Sequence, residues 1–316
     1  MKKYLVLFAC MVFIFICFYD VQGFVSSGRQ GLSIFYLNVL PVLFPFFFVT
    51  SMLVQCGLFT NTPAFMSKSM HALYNTDGKA APVLLLSLLG GFPTGARLIS
   101  DLYDQNEISR NDAIKIATFT STTSPIFVIA TVGAVLLGSV KLGVVIFVAI
   151  VAGALLNGLI YRQVRFNDSI SKDSPSSTTA TKAHQNQPRS LPDAFVNSLT
   201  SAMSAILSIG GIIVIFFIIG NQISSLLNLS ATANAILLGV LEMTTAVFAT
   251  SSLSLHDLAQ VVAYTAVLSF GGLCIAVQGF IYFNKFNMPF WFYILYKITH
   301  MMLSVFCILI IFVIFV

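Results

Sequence analysis

Charge is what this 316-residue sequence has least of. Only 9% of its residues are charged, 11 acidic and 16 basic. An average soluble domain carries about 25% charged residues. A globule needs polar groups to cover its surface, and so few charges cannot cover a chain of 34.4 kDa. Soluble enzymes, DNA-binding modules and disordered proteins are therefore excluded as descriptions of the whole chain. Cysteine and histidine are also scarce, with five and four residues. Cys10, Cys17, Cys56, Cys274 and Cys307 stand in or beside apolar runs, without zinc or disulfide spacing. They read as small apolar fillers. His71, His184 and His256 are scattered. There is no nucleophile–base pair, Rossmann fingerprint, P-loop or ATPase motif, so the chain is expected to be no enzyme and to need no cofactor. It also lacks a basic stripe with interleaved aromatics, so the net charge of +5 does not point to nucleic acid.

Apolar residues are what the sequence has in excess, at 57%, and they come in long runs. The runs cover roughly 4–19, 33–54, 79–99, 112–138, 141–161, 204–227, 235–253, 257–283 and 290–316. This is the pattern of an all-α polytopic membrane protein. Residues 1–23 have two readings. Lys2 and Lys3 precede an apolar run, and Val21-Gln22-Gly23 resembles a cleavage site, so the stretch is a first transmembrane helix or a signal peptide. Residues 163–195 are rich in Ser, Thr, Asn, Gln and Lys and read as a polar cytoplasmic linker. The linker separates membrane segments at 31–162 and 196–316.

The two membrane segments resemble each other. Val83 to Gly95 lies against Asn234 to Ala246, so that Gly91 falls on Glu242, Pro93 on Thr244 and Thr94 on Thr245. About 30 residues later each half has a broken apolar run, at Thr120 to Pro125 and at Ser269-Phe270-Gly271-Gly272. Each matched motif is also preceded by a broken run, one with Pro41 and Pro45, the other with Gly210 and Gly211. Three matches in one order indicate an internal repeat.

The few charges then decide the topology. If every run crosses the bilayer, Arg97, Arg110, Arg162 and Arg165 fall outside, against the positive-inside tendency. If instead 79–104 is a re-entrant hairpin with its tip at Gly90 to Gly95, all basic residues but Arg29, Lys141 and Lys297 fall inside. Residues 79–90, at ~1.5 Å per residue, reach about half of the ~30 Å core. By the repeat, 235–253 is a matching hairpin from the outer side. Two inverted-topology repeats, each with a re-entrant hairpin and a broken helix, are the plan of secondary transporters.

Candidate site residues gather at these breaks. Glu242 is the only carboxylate in the interior of an apolar run, Asp257 lying at the start of one, and an ionisable group at such depth costs roughly 2.5–3.5 kcal/mol. It either contacts substrate, proton or ion, or is a structural carboxylate bonded to Thr244, Thr245 or free amides. The turn holding Gly91, Thr94 and Gly95 either cradles an anion with its amides or allows close helix packing. Arg97 either holds a carboxylate or snorkels to the inner interface. Thr123, Ser124, Ser269, Gly271 and Gly272 either coordinate a solute or make packing kinks, with Gln278 a polar neighbour. Lys297 and His300 share a helix face. They form either a charge partner to Glu242 or an anionic substrate, or an interfacial pair beside Trp291, Tyr293 and Tyr296.

With these motifs in place the sequence resembles the sporulation integral membrane protein YlbJ group (stage V sporulation protein V), whose members carry a nucleoside-recognition Gate-type repeat. The carrying stretches are Asn38 to Phe47, Gly91-Phe92-Pro93-Thr94-Gly95-Ala96, Thr123-Ser124-Pro125-Ile126-Phe127, Ile209-Gly210-Gly211, Leu241-Glu242-Met243-Thr244, Ser269 to Leu273 with Gln278, and Tyr296-Lys297 with His300. The resemblance implies dipicolinate transport across the outer forespore membrane during sporulation. Gate-type relatives imply nucleosides or other small solutes.

The expected protein is a secondary transporter of a small organic anion in the bacterial cell membrane. Its expected partners are the lipid bilayer and that anion, and not nucleic acid. Its coupling ion, proton or sodium, and its oligomeric state stay open. A non-transporting sporulation or envelope factor is the alternative from another class.

Overall fold

The structure is a computed structural model that describes residues 2–56, 62–166 and 190–315. The larger part of the expected linker, 167–189, lies outside the described residues, and His184 with it. The described residues form helices and the turns between them, with no strand. A segment inside a bilayer must satisfy its backbone within itself, and a helix does so.

Helices α1 (Lys2–Tyr19) and α2 (Val21–Ile34) meet at Asp20, whose carboxylate accepts from the Gly23 amide at 2.9 Å. A widened, π-helical turn at Phe35–Val39 leads into α3 (Leu40–Gln55), with Pro41 in its first turn and Pro45 inside it. A proline has no N–H and crowds the carbonyl four residues before it. For Pro41 that carbonyl is Leu37, in the widened turn. The break expected in 33–54 is thus a change of helical pitch.

After α4 (Ala64–Tyr74), α5 (Ala80–Gly90) and α6 (Phe92–Asp104) form the first hairpin. Lys79, just before α5, pairs with Glu107, just after α6, at 2.6 Å. In one straight helix these residues would stand about 40 Å apart. Gly91 makes the turn with φ 81° and ψ −169°, a conformation open only to glycine. Gly95 lets the arms lie close, since a Cβ there would fall 2.7 Å from the Thr120 carbonyl and 3.0 Å from Ser87 Cβ.

The chain continues through α7 (Arg110–Thr120), an irregular stretch, a π-helical segment (Ile126–Leu136) and α8 (Val140–Tyr161). Helix α9 (Leu191–Leu227) starts inside the stretch expected to be linker. Pro192 in its first turn and Asp193 beside it favour a helix start there. Next come α10 (Ala231–Leu241) and α11 (Met243–Ser251), broken at Glu242, then α12 (Asp257–Phe270) and α13 (Gly272–Phe283), broken at Gly271. Helix α14 (Phe290–Phe315) ends the chain. Among the described residues four helical stretches are long and apolar enough to cross a membrane: Val140–Tyr161, Leu191–Leu227, Asp257–Phe286 (α12 and α13 taken together with the turn that follows) and Phe290–Ile314.

Small and polar residues hold the helices together. A Cβ on Gly153 of α8 would fall 2.7 Å from the Ser304 nitrogen of α14, so the two backbones touch, as small residues allow. Asn157 donates to the carbonyls of Thr118 (2.7 Å) and Tyr296 (3.2 Å), tying α7, α8 and α14. Lys79, Arg110 and Lys285 gather at one end. There Arg110 donates to the carbonyls of Phe286 and Asn287 at 3.0 and 3.1 Å, and Lys285 pairs with Asp104. The mouth of the first hairpin, the start of α7 and the turn before α14 share this end.

A cysteine at Gln105, in the mouth of the first hairpin, should label with an impermeant maleimide only from the cytoplasmic face. One at Lys141 should label only from the other face. Labelling of both from one face would refute the hairpin topology.

Candidate functional site

The two breaks lie against each other at the centre of the molecule. The Thr123 hydroxyl donates to the Leu268 carbonyl at 2.7 Å. Each hairpin tip sits on the break in its own half. A Cβ on Gly91 would meet the Ser124 nitrogen at 3.1 Å, and one on Gly272 would meet the Leu241 carbonyl at 3.0 Å. The tips also cross over, since the Phe92 ring lies 3.1 Å from where a Gly271 Cβ would be. Gly271 and Gly272 both have positive φ, 83° and 79°. Two such residues in a row stop α12 and restart the chain as α13.

Lys297 reaches into this junction from α14 and is fully buried. Its ammonium donates to the Ser121 carbonyl at 3.2 Å, approaches His300 Nδ1 at 3.5 Å and lies 4.4 Å from the centroid of the Phe92 ring. His300 Nε2 contacts the Ile150 carbonyl at 3.1 Å. Every neighbour named is neutral, and among the described residues no carboxylate lies within 4.0 Å of the ammonium. This corrects the interfacial reading of Lys297 and His300, and also that of Tyr293 and Tyr296, which are buried. Only Trp291, 62% exposed, stays at the surface. Tyr293 lies four residues before Lys297 and therefore shares its inward face. That spacing was the available signal for its burial.

Glu242 is buried too, and it is not the partner of Lys297. Its carboxylate caps α11, accepting from the Thr244 amide at 2.9 Å, the Thr245 amide at 2.7 Å and the Thr245 hydroxyl at 2.9 Å. An anion at a helix N-terminus satisfies free amides and meets the positive end of the dipole. Of the two readings of Glu242, the geometry shows the bonded structural carboxylate.

Other residues divide between the junction and its surroundings. Gln278 donates to Cys274 Sγ at 3.2 Å and lines a cavity of about 10 Å³ with Phe92, Pro93, Ser121 and Tyr293. That volume holds about one water. The hydroxyls of Thr94, Thr122 and Tyr293 are buried with no hydrogen-bond partner among the described residues. Ser124 caps the following helical segment through the Phe127 amide at 3.4 Å. Ser269 turns back onto its own helix, donating to the Thr265 carbonyl at 2.6 Å. Arg97 points away from the junction. It is buried, not snorkelled, and donates to Ser201 of α9 at 2.7 Å. Gly91, Gly95, Gly271 and Gly272 serve close packing as observed. Besides His300, Lys297 touches Ser121, which belongs to the hydroxyl-rich break read from the sequence, and Phe92, which the sequence reading gave no role of its own.

Comparison with known proteins follows the same landmarks. Residues 36–141 match the Gate family, described as nucleoside recognition. The matched stretch covers α3, the first hairpin and the first break. The chain is also 25% identical over 234 residues to the sporulation integral membrane protein YlbJ of Bacillus subtilis (strain 168), covering 70% of this chain. The resemblance to the YlbJ group stands. The chain spans 57% of that relative's length. Glu242, Gly271 and Lys297 lie beyond the Gate match but share one junction with it. No solved structure matches. The membrane character and the sporulation and Gate resemblance agree with the apolar helices.

Glu242→Ala should lower the stability of the detergent-solubilised protein by about 0.5–2 kcal/mol, the usual worth of a helix cap. Glu242→Gln, which keeps one acceptor, should lower it less. Thermal melts followed by size exclusion would show this order, and equal melting of both variants and the parent would contradict the capping role.

Proposed function

We propose that this protein is a secondary transporter of a small organic anion, bound where the two hairpin tips meet the two helix breaks. One observation carries the reading. Lys297 is a fully buried basic side chain with no carboxylate within 4.0 Å among the described residues, and its nitrogen meets only the Ser121 carbonyl, His300 and the Phe92 ring. Uncompensated charge inside a bilayer is costly and tends to mark a functional group. A carboxylate bound here would supply the missing negative charge and accept from the free hydroxyls.

The surroundings of Lys297 suit a flat anion. Phe92, Phe283 and Tyr293 wall the small cavity, and Ser121 and Gln278 supply its polar atoms. Dipicolinate, a planar pyridine dicarboxylate, matches that chemistry and is the first solute to test, with the outer forespore membrane as the site of action in a sporulating cell. The repeat expected from the sequence fits two oppositely oriented halves rocking about this junction, as in other transporters with broken helices. Glu242 holds the second tip in shape. Through the Thr245 hydroxyl its carboxylate lies at the edge of a larger cleft, where a coupling proton or sodium ion can reach it.

Two other readings each have an observation behind them. The Gate match favours a nucleoside as solute. The tight packing at the tips, where the cavity is about 10 Å³, is what a non-transporting sporulation or envelope factor would also show. Flux separates all three.

Purified protein in liposomes should accumulate dipicolinate. Lys297→Met, which fills nearly the same space, should lose at least tenfold in uptake while the protein still inserts and purifies as the parent does. Glu242→Gln should also lose uptake while inserting normally. Uptake of uridine but not dipicolinate would favour the nucleoside reading. Full uptake by Lys297→Met would sink the anion site.

A further inference from the structure

A cleft of about 410 Å³ opens beside the second hairpin, a size that fits a small solute. Its polar lining comes from Gln30 and Ser33 of α2, Asn221 of α9 and Thr245 of α11, and Ile34, Phe217, Leu238 and Phe248 are its apolar walls. It lies far from the basic end. Asn221 is about 45 Å along α9 from Leu191, and its neighbour Gln222 donates to the Asp20 carbonyl at the α1–α2 joint, at 3.0 Å. The cleft reaches Thr245, whose hydroxyl contacts the Glu242 carboxylate, and so it arrives at the second hairpin tip.

The first hairpin has a matching face, and that face is shut. With Gly91 on Glu242, Thr94 and Arg97 take the places of Thr245 and Phe248. Phe248 is 47% exposed, whereas Arg97 is 2% exposed. The Arg97 guanidinium packs over the Phe47 ring of α3 at 4.9 Å, donates to Ser201 of α9 at 2.7 Å and lies 3.7 Å from Asp101. The seal leaves polar atoms unsatisfied. Thr94 Oγ1, Arg97 Nη1 and Ser100 Oγ are buried with no hydrogen-bond partner among the described residues. Buried polar atoms without partners are rare and call for a reason. Three on one helix face have a common reason if that face is wet in another state of the protein.

We propose that the cleft is the water-filled path to the hairpin tips in the state seen here, and that the Thr94–Arg97–Ser100 face is the alternate path, closed from the basic end. Arg97 is the lock on the closed face, through Ser201 and Phe47. The inference rests on the transport reading given above, and it adds which path is open and which residue shuts the other. When the first hairpin moves off α3 and α9, Arg97 gives up Ser201, water reaches Thr94 and Ser100, and the cleft at Asn221 closes.

The test places single cysteines at Asn221 and at Ser100 in a chain whose five native cysteines are replaced, and follows an impermeant maleimide in sided vesicles. Asn221→Cys should react only from the face opposite the basic end, at least tenfold faster than Ser100→Cys from either face. Adding Arg97→Gln should make Ser100→Cys reactive from the basic end and slow Asn221→Cys at least threefold. If Arg97→Gln fails to fold, Ser201→Ala, which removes only the acceptor, is read in the same way. Labelling of Asn221→Cys from the basic end overturns the proposal. So does equal labelling of both cysteines in the parent, or an Asn221→Cys rate that unlocking leaves unchanged. The transport reading fails separately, by absence of flux in the parent protein, whereas faces that label alike overturn this inference even where flux is normal.

Discussion

A backbone that leaves its helix inside a bilayer finds no water to complete its hydrogen bonds, and this constraint organises the whole molecule. The chain leaves its helix at Gly91, at Ser121 to Ser124, at Glu242 and at Gly271. Side chains close the groups that are freed. Asn157 covers the Thr118 carbonyl at the end of α7, Lys297 covers that of Ser121, and Thr123 covers that of Leu268. Glu242 covers two amides at the start of α11. Two of these bonds, Lys297 to Ser121 and Thr123 to Leu268, join the two halves of the chain, so neither half completes its breaks alone.

The same constraint explains why structural and functional readings of one residue are hard to separate. Glu242 is a helix cap by geometry and an ionisable group at depth by chemistry. Lys297 is a tether for a freed carbonyl and also a charge without a counterion. The difference between the two lies in what remains unmet. Glu242 has three hydrogen bonds to its two oxygens. Lys297 has a carbonyl, an imidazole and a ring face, none of which carries negative charge. That difference is the basis for the proposal that an anion binds at Lys297, while Glu242 shapes the second tip.

The halves also differ in a way that their similarity brings out. Thr245 and Phe248 border open space, while Thr94 is buried against Gly90 of its own hairpin and Arg97 is packed against α3 and α9. A symmetric scaffold would close both faces or neither. Arg97 was expected either to hold a carboxylate or to reach the interface. It is buried away from the interface, and the carboxylate beside it is Asp101 of its own helix, with Phe47 and Ser201 on its other sides.

Composition and spacing determined the class of this protein and the places where its helices break. Sixteen basic residues sorted by side required the first hairpin, and the Lys79–Glu107 pair shows that its ends meet. Glycine, proline and hydroxyl clusters marked the breaks, because a helix interior tolerates them poorly and that intolerance is local. What a broken end touches is not local. Thr123 meets Leu268, Lys297 meets Ser121, and Arg97 meets Ser201 only when separate helices pack together. The sequence placed Lys297 on a helix face shared with His300 but could not say whether that face met lipid headgroups or the centre of the protein. Tertiary packing decided this, since the burial of a charge depends on the helices around it and not on the residues beside it.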